Sequence, residues 1–343
     1  MKRKQITRIS TKILMTLMVV VMLFTVASSA LRPAVSADSS IFKKNDSIYT
    51  DYTKYLDSSV VHALPDTIAD DEIISVIVKL DEPSIMAAYN ETDKSMSIGE
   101  FAQTDEAKRI KDNIARAKEE YLKALTRNSV SYTTGADYST VLSGFEVLFE
   151  AKHFSVACSV LGKGATAIVG EVYNKAETQL VENNVSVYED TGIFDSSSFK
   201  YDGSGMVVAV LDTGLDYTHP AFDPAALTST RYGLTKSEVA SVISGTAASS
   251  MVSGLTADDV YINAKVPFAF DYADGDSDVY SLHNNHGTHV SGVIVGNDDV
   301  ITGVAPNAQL VSMKIFSDTM DTARASWILA ALEELLFIGF PAS

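Results

Sequence analysis

The chain has 343 residues, of which 27 are basic and 44 acidic, giving a formal net charge of −17. A surface this acidic repels phosphate, which excludes nucleic acid as a natural partner. The single cysteine, Cys158, excludes an internal disulfide, and its apolar setting predicts a packing role. With 46% apolar residues, the sequence is long enough to fold as two globular domains.

Residues 1–37 predict a secretory signal peptide. Basic residues up to Lys12 precede an apolar stretch, Ile13 to Val26, that is shorter than the roughly 20 residues needed to span a bilayer. Small residues follow, so we expect cleavage after Ala37 or, alternatively, after Ala30. An uncleaved signal would tether the protein to a membrane. The part after residue 37 has 21 basic and 44 acidic residues, a net charge of −23.

The next two regions are a predicted linker, residues 38–71, and a predicted small α+β domain, residues 72–190. In this domain a long amphipathic helix is expected after a Thr104 cap, with helices on one face of a sheet. The other predicted elements are strands near 72–80, 145–149, 167–172 and 185–188 and a short helix near 155–162.

From residue 200 to residue 343 the pattern predicts an α/β fold. The apolar run 206–211 does not alternate with polar residues, which is typical of a parallel strand covered on both faces. Strands that alternate with helices predict a mostly parallel sheet with flanking helices. The further predicted elements are a helix over 236–243 after a Thr235 cap, a strand over 266–270, a helix that begins at His286, a strand over 311–315 and a helix from about Thr322.

Two motifs in this region carry the chemistry. Val210-Leu211-Asp212-Thr213-Gly214 places a carboxylate at the carboxyl end of a buried strand, where α/β sheets bind ligands. His286-Gly287-Thr288-His289-Val290-Ser291-Gly292 places an imidazole at a helix start. A carboxylate that accepts the Nδ1 proton of a histidine orients it to take a proton from a serine. The two motifs predict catalytic roles for Asp212 and His286.

Each motif alone has an alternative interpretation. A single Asp-Thr-Gly box also occurs in aspartic proteases, but their mechanism needs a second box or a symmetric dimer. His283, His286 and His289 suggest zinc, yet helical residues six apart point to nearly opposite faces. We therefore interpret His289 as a residue that supports helix packing.

An acidic cluster between the two motifs raises the question of calcium. Asp271, Asp274, Asp276 and Asp278 offer hard oxygen ligands, but they lack the spacing and the closing glutamate of an EF-hand. A solvated acidic loop is the favoured interpretation, and no metal or other cofactor is required.

The order and content of the motifs resemble those of the subtilisin-like serine proteases, or subtilases. Further matching segments are Asp216–Phe222, Gly303–Pro306, Lys314-Ile315 and Ser326–Ile328. The insert between the motifs, with Lys265–Phe268 and Asp271–Asp274, is most similar to the large cell-envelope, lactocepin-like subtilases of Gram-positive bacteria. The resemblance implies a secreted or cell-envelope serine endopeptidase that acts on proteins or peptides. It also implies that residues 72–190 are a propeptide that inhibits its own catalytic domain.

The serine box of that family, a Gly-Thr-Ser run at a helix start, has no counterpart among the 343 residues. The resemblance therefore implies the N-terminal portion of a precursor, with a truncated subtilisin-like sheet, and we predict that the 343 residues alone are inactive. One alternative stays open. The chain would then be a non-catalytic protein that binds or inhibits a protease through residues 72–190.

Overall fold

A computed structural model describes residues 64, 68–93, 95–96, 98–170, 172–174, 202–227, 233–281, 284–320 and 322–338. The predicted signal peptide, most of the predicted linker and the predicted strand at 185–188 lie outside the described residues. The described residues all fall within one compact unit, Phe42–Ser343. Among the helices of the described ranges, none has both the length and the apolar character required to cross a bilayer.

The first sheet is antiparallel and has four strands in the order β2-β3-β1-β4. They are β1 (Ile73–Leu80), β2 (Tyr132–Tyr138), β3 (Gly144–Glu150) and β4 (Ala165–Val169). The sequence analysis predicted three of these strands within one or two residues at most ends and missed β2. Its Thr133, Thr134 and Gly135 provide no hydrophobic alternation, so the strand is specified by its pairing with β3.

Four helices accompany this sheet. They are α1 (Ile85–Asn90), α2 (Ile98–Phe101), α3 (Asp105–Arg127) and α4 (Phe154–Ser159). The predicted cap of α3 is confirmed, because the Ala107 N–H donates to Thr104 Oγ1 at 3.3 Å. The buried stripe of α3 packs with β1 and β3 in one core, in which each fully buried apolar side chain contributes roughly 1.5–3 kcal/mol.

The second sheet is the predicted parallel one. Its strands are β6 (Val207–Asp212), β7 (Phe268–Asp271) and β8 (Gln309–Lys314), in the order β6-β8-β7. The register pairs Asp212 with Lys314 and Asp271 with Lys314, so the three carboxyl ends lie side by side. The helices of this region are α5 (Lys236–Val242), α6 (Ala247–Met251), α7 (Ala257–Val260), α8 (His286–Val295) and α9 (Ala325–Ile338). Parallel strands with flanking helices confirm an α/β fold.

The predicted start of the last helix is wrong. Residues 322–324 form a strand, β9 (Thr322–Arg324), and α9 begins at Ala325. β9 pairs antiparallel with β5 (Val172–Asn174), a strand that lies about 150 residues earlier in the chain. The backbone N–H and C=O groups of β9 thus bond to those of β5. The sequence pattern around Thr322 cannot reveal a partner so far away in the chain.

The two larger sheets share a buried layer. Ile77, Ala136 and Tyr138, from one face of the first sheet, belong to the same core as Trp327 and Ala331 of α9. On the far side of the parallel sheet, Val210, Leu310 and Ala269 pack with residues that include Phe222 and Val295. The parallel sheet is therefore covered on both faces, and its carboxyl ends form the edge that carries the two motifs.

Candidate active site

The predicted aspartate and histidine meet at the carboxyl end of β6. Asp212 is the last residue of β6 and His286 is the first of α8. His286 Nδ1 lies 2.7 Å from Asp212 Oδ1 and 3.0 Å from Oδ2. The Asp212 side chain is 15% exposed and that of His286 is 29% exposed. In this arrangement the carboxylate can hold a proton on Nδ1, which leaves Nε2 as the basic nitrogen.

Two glycines allow the motifs to approach each other. Gly214 has φ +117°, and a Cβ there would meet the Val279 carbonyl oxygen at 2.3 Å. A Cβ on Gly287 would meet the Gly214 carbonyl oxygen at 2.3 Å and Asp212 Cβ at 3.1 Å. Real Cβ atoms do not come this close to other atoms. The start of α8 can therefore contact the aspartate turn only because both positions are glycine.

Hydroxyl groups from both motifs tie the turn to the helix. The Gly287 N–H donates to Thr213 Oγ1 at 3.0 Å, and the Asp216 N–H donates to Thr288 Oγ1 at 2.8 Å. Thr213 also donates its own N–H to Asp212 Oδ1 at 2.7 Å, which adds a second donor to the carboxylate that faces His286. Neither threonine was assigned a role from the sequence, although each follows a candidate catalytic residue within two positions.

The neighbouring histidine has a different environment. His289 is exposed, so our interpretation of it as a packing residue is wrong. His283 lies outside the described residues. In the part of the chain that the structure describes, the group with metal-ligand spacing contains only carboxylates, so the zinc alternative gains no support there.

That carboxylate group comprises Asp271, Asp274 and Asp318. Lys314 lies among them, with its Nζ bonded to Asp271, 3.3 Å from Asp274 and 3.0 Å from Asp318. Burial lowers the pKa of Lys314, but the bonds to Asp271 and Asp318 outweigh burial and raise it overall. A buried lysine ammonium thus supplies the positive charge between these oxygens. It lies beside Asp212 in the strand register, a position that the motifs alone did not indicate.

The four aspartates considered as calcium ligands are divided in the structure. Asp276 Oδ1 accepts the Asp278 N–H at 2.8 Å, and Asp278 Oδ1 accepts the Tyr280 N–H at 3.0 Å. These two carboxylates therefore stabilise turns of the acidic loop, and they are not members of the group around Lys314.

Comparison with known proteins agrees with this geometry. Residues 203–336 match the profile of the subtilase family. The resemblance to the subtilases is confirmed. The matched subtilase segment begins just before β6 and ends within α9, so it contains both motifs and all three parallel strands.

Several proteinases of Gram-positive bacteria are similar to the chain. It is 31% identical over 230 residues to the PI-type proteinase of Lactococcus lactis subsp. cremoris, a match that covers 64% of the chain and 11% of that protein. It is 28% identical over 284 residues to the PII-type proteinase of Lacticaseibacillus paracasei, covering 78% of the chain and 13% of that protein. Its identity to the minor extracellular protease Vpr of Bacillus subtilis is 23% over 261 residues, covering 70% of the chain and 25% of Vpr. The chain spans about a tenth of the length of the first of these relatives.

Proposed function

We propose that these residues are the N-terminal part of a serine endopeptidase precursor. The observation that carries the proposal is the 2.7 Å contact between His286 Nδ1 and Asp212 Oδ1. In the proposed reaction, a serine Oγ attacks the carbonyl carbon of a peptide bond while its proton passes to His286 Nε2. Asp212 stabilises the resulting imidazolium, and His286 then gives the proton to the leaving amine. The serine is not among the 343 residues, so we propose that they are inactive alone.

We further propose that the region 72–190 is the propeptide of this precursor. Glu333 on α9 supports this role, because its buried carboxylate accepts four consecutive backbone N–H groups from the loop between β2 and β3. These donors are Ser139 at 2.9 Å, Thr140 at 2.5 Å, Val141 at 2.6 Å and Leu142 at 2.9 Å. Burial raises the pKa of Glu333 and the four donors oppose that rise. Undocking would break four hydrogen bonds to one carboxylate, so the contact favours a docked domain.

The pairing of β5 with β9 supports the same proposal. β5 follows β4 directly and adds its backbone to β9 in antiparallel register from Val172–Arg324 to Asn174–Thr322. Strand addition holds an extended segment through main-chain hydrogen bonds, largely irrespective of its side chains. We propose that a peptide substrate would otherwise pair with this edge of β9. We propose that the propeptide inhibits the catalytic domain by this means until it is removed.

The same proposal includes location and substrates. The relatives are bacterial proteinases, and one carries the word extracellular in its name. We propose export through residues 1–37, action on proteins or peptides outside a Gram-positive cell, and no partner role for nucleic acid. A non-catalytic inhibitor would not need Asp212 and His286 to be in contact, so the assembled pair favours the enzyme over that alternative.

Labelling with a serine-directed fluorophosphonate tests the proposed activity. The gene would be expressed as the 343-residue product and as a product extended through the DNA that follows codon 343, in each reading frame. We expect labelling of an extended product, loss of labelling in its His286→Ala variant, and retention in the His289→Ala control, since His289 is exposed on the same helix. Labelling of the 343-residue product, or an extended product whose labelling survives His286→Ala, would overturn the proposal.

A further inference from the structure

We infer that helix α6, within the insert that separates the two motifs, is a docking surface for the first sheet and makes that docking selective. The part of the insert that concerns this contact is residues 233–262. The inference rests on the proposed propeptide role of residues 72–190. Part of the insert, and not only α9, then decides which propeptide domain fits.

α6 is anchored to α9 by a buried acid. Glu334 is fully buried, and its Oε2 accepts the Ala248 N–H at 3.1 Å. Glu333, the adjacent residue, accepts the backbone N–H groups of residues 139–142. Two consecutive carboxylates of α9 thus hold two different elements, one from the insert and one from the first sheet. α6 is consequently fixed in place next to the docked sheet.

The surface of α6 contacts β2. Ala247 and Ala248 are buried in the same core as Ala136 and Tyr138 of β2. The Asp137 N–H points to Ser250 Oγ at 3.5 Å, a long contact at the exposed end of the same interface. Just before α6, the Gly245 carbonyl oxygen accepts from Lys111 Nζ, also at 3.5 Å. The insert therefore meets both β2 and α3 of the first sheet's domain.

The chemistry of this contact predicts what fits. The centre of the contact is apolar, with the alanines of α6 in one core with Ala136 and Tyr138 of β2, both of which are buried. At the rim, the backbone N–H of Asp137 faces Ser250, and the carboxylate of Asp137 pairs with Lys118. A negative charge at position 250 would face this carboxylate, whereas a positive charge would pair with it. Charge at the tip of α6 is thus a means to accept or reject a propeptide domain.

The test uses the 343-residue chain with a recognition sequence for a site-specific protease inserted between Asp190 and Lys200, outside the described residues. After the cut, the rate at which the two halves separate is measured at the lowest urea concentration that separates the wild-type halves. The variants are Ser250→Glu and Ser250→Lys, with Ser241→Glu as the matched control. Both serines are exposed near the end of a short helix and donate to the carbonyl three residues earlier, at 2.6 Å for Ser250 and 2.7 Å for Ser241.

We expect Ser250→Glu to separate about tenfold faster than Ser241→Glu, equal to roughly 1.4 kcal/mol, and Ser250→Lys to separate more slowly than wild type. Equal rates for all three variants would overturn the inference. A Glu333→Ala variant distinguishes failure of the insert's role from failure of the proposed propeptide docking. If it separates faster while Ser250→Glu does not, the role of the insert is wrong and the docking of the domain stands. If Glu333→Ala also keeps the wild-type rate, the proposed propeptide contact itself is wrong.

Discussion

At the scale of single residues, the contact between Asp212 and His286 depends on a glycine at position 287, which has no side chain. Gly287→Ala would place a methyl group 2.3 Å from the Gly214 carbonyl oxygen, so α8 must move away from β6. We expect a loss of unfolding free energy of about 1–3 kcal/mol, typical of overpacking, and a broken contact between Asp212 and His286. Urea unfolding and the NMR shifts of His286 measure the two effects.

Gly292→Ala is the matched control for this prediction. Gly292 lies on the same helix, and a Cβ there would meet no atom of another element within 4 Å. The substitution should stabilise α8 by up to about 1 kcal/mol because alanine has the higher helix propensity. If both alanine variants behaved alike, the close approach of the two motifs would not be the reason for Gly287.

The sequence analysis identified Asp212 and His286 because their chemistry is recorded in two local motifs. It did not identify Thr213, whose hydroxyl accepts the Gly287 N–H, or Thr288, whose hydroxyl accepts the Asp216 N–H. Nor did it place Lys314 beside Asp212, since that proximity arises only when β6 and β8 pair across about a hundred residues. Residue types indicated the reaction, and long-range pairing determined which other side chains surround it.

At the scale of elements, the coupling of α9 to α6 should depend on pH. Burial raises the pKa of Glu334 from 4.5 to about 7. Between these two pH values the folded protein binds more protons than the unfolded chain, so this group's contribution to stability falls as pH rises. Glu334→Gln keeps an oxygen acceptor for the Ala248 N–H but does not titrate.

The corresponding measurement is urea unfolding of wild type and Glu334→Gln at several pH values. Relative to Glu334→Gln, wild type should lose up to about 3 kcal/mol as pH rises from 4.5 to 7, given 1.36 kcal/mol for each pKa unit. Taking the difference between the two proteins cancels the titration of other groups. A difference that stays constant over this range, or that grows in favour of wild type, would contradict the assignment.

Elements with local signals were predicted well. The Thr104 cap and the capping box of Thr235 with Glu238 defined the starts of α3 and α5. β2, β5 and β9 were missed, because short strands of mixed polarity are specified by partners elsewhere in the chain. The error at Thr322 has this cause, since a helical pattern extended over residues that pair with β5.

At the scale of the whole molecule, Glu333 joins the first sheet to the segment that matches the subtilase family. Glu333→Ala would leave four N–H groups of residues 139–142, one buried and three part-buried, without their acceptor, and each bond to a charged group contributes about 1.5–3 kcal/mol. We expect amide hydrogen exchange over residues 139–142 to accelerate by about tenfold or more in the 343-residue chain.

Glu119→Ala serves as the control for this measurement. Glu119 is an exposed residue of α3 that pairs with Lys123, so its loss removes a surface ion pair of little energetic weight. Exchange over residues 139–142 should match wild type in this variant. Unchanged exchange in Glu333→Ala would show that α9 does not hold the loop.

The central claim is that Asp212 orients His286 as the base of a serine peptidase, and the tautomer of His286 tests it most directly. In the 343-residue protein, two-bond ¹H–¹⁵N NMR of the neutral imidazole should show the proton on Nδ1, directed at Asp212. In Asp212→Asn the amide can donate to Nδ1, so the proton should move to Nε2. A His286 that carries its proton on Nε2 in wild type, or keeps one tautomer in both proteins, would contradict the account.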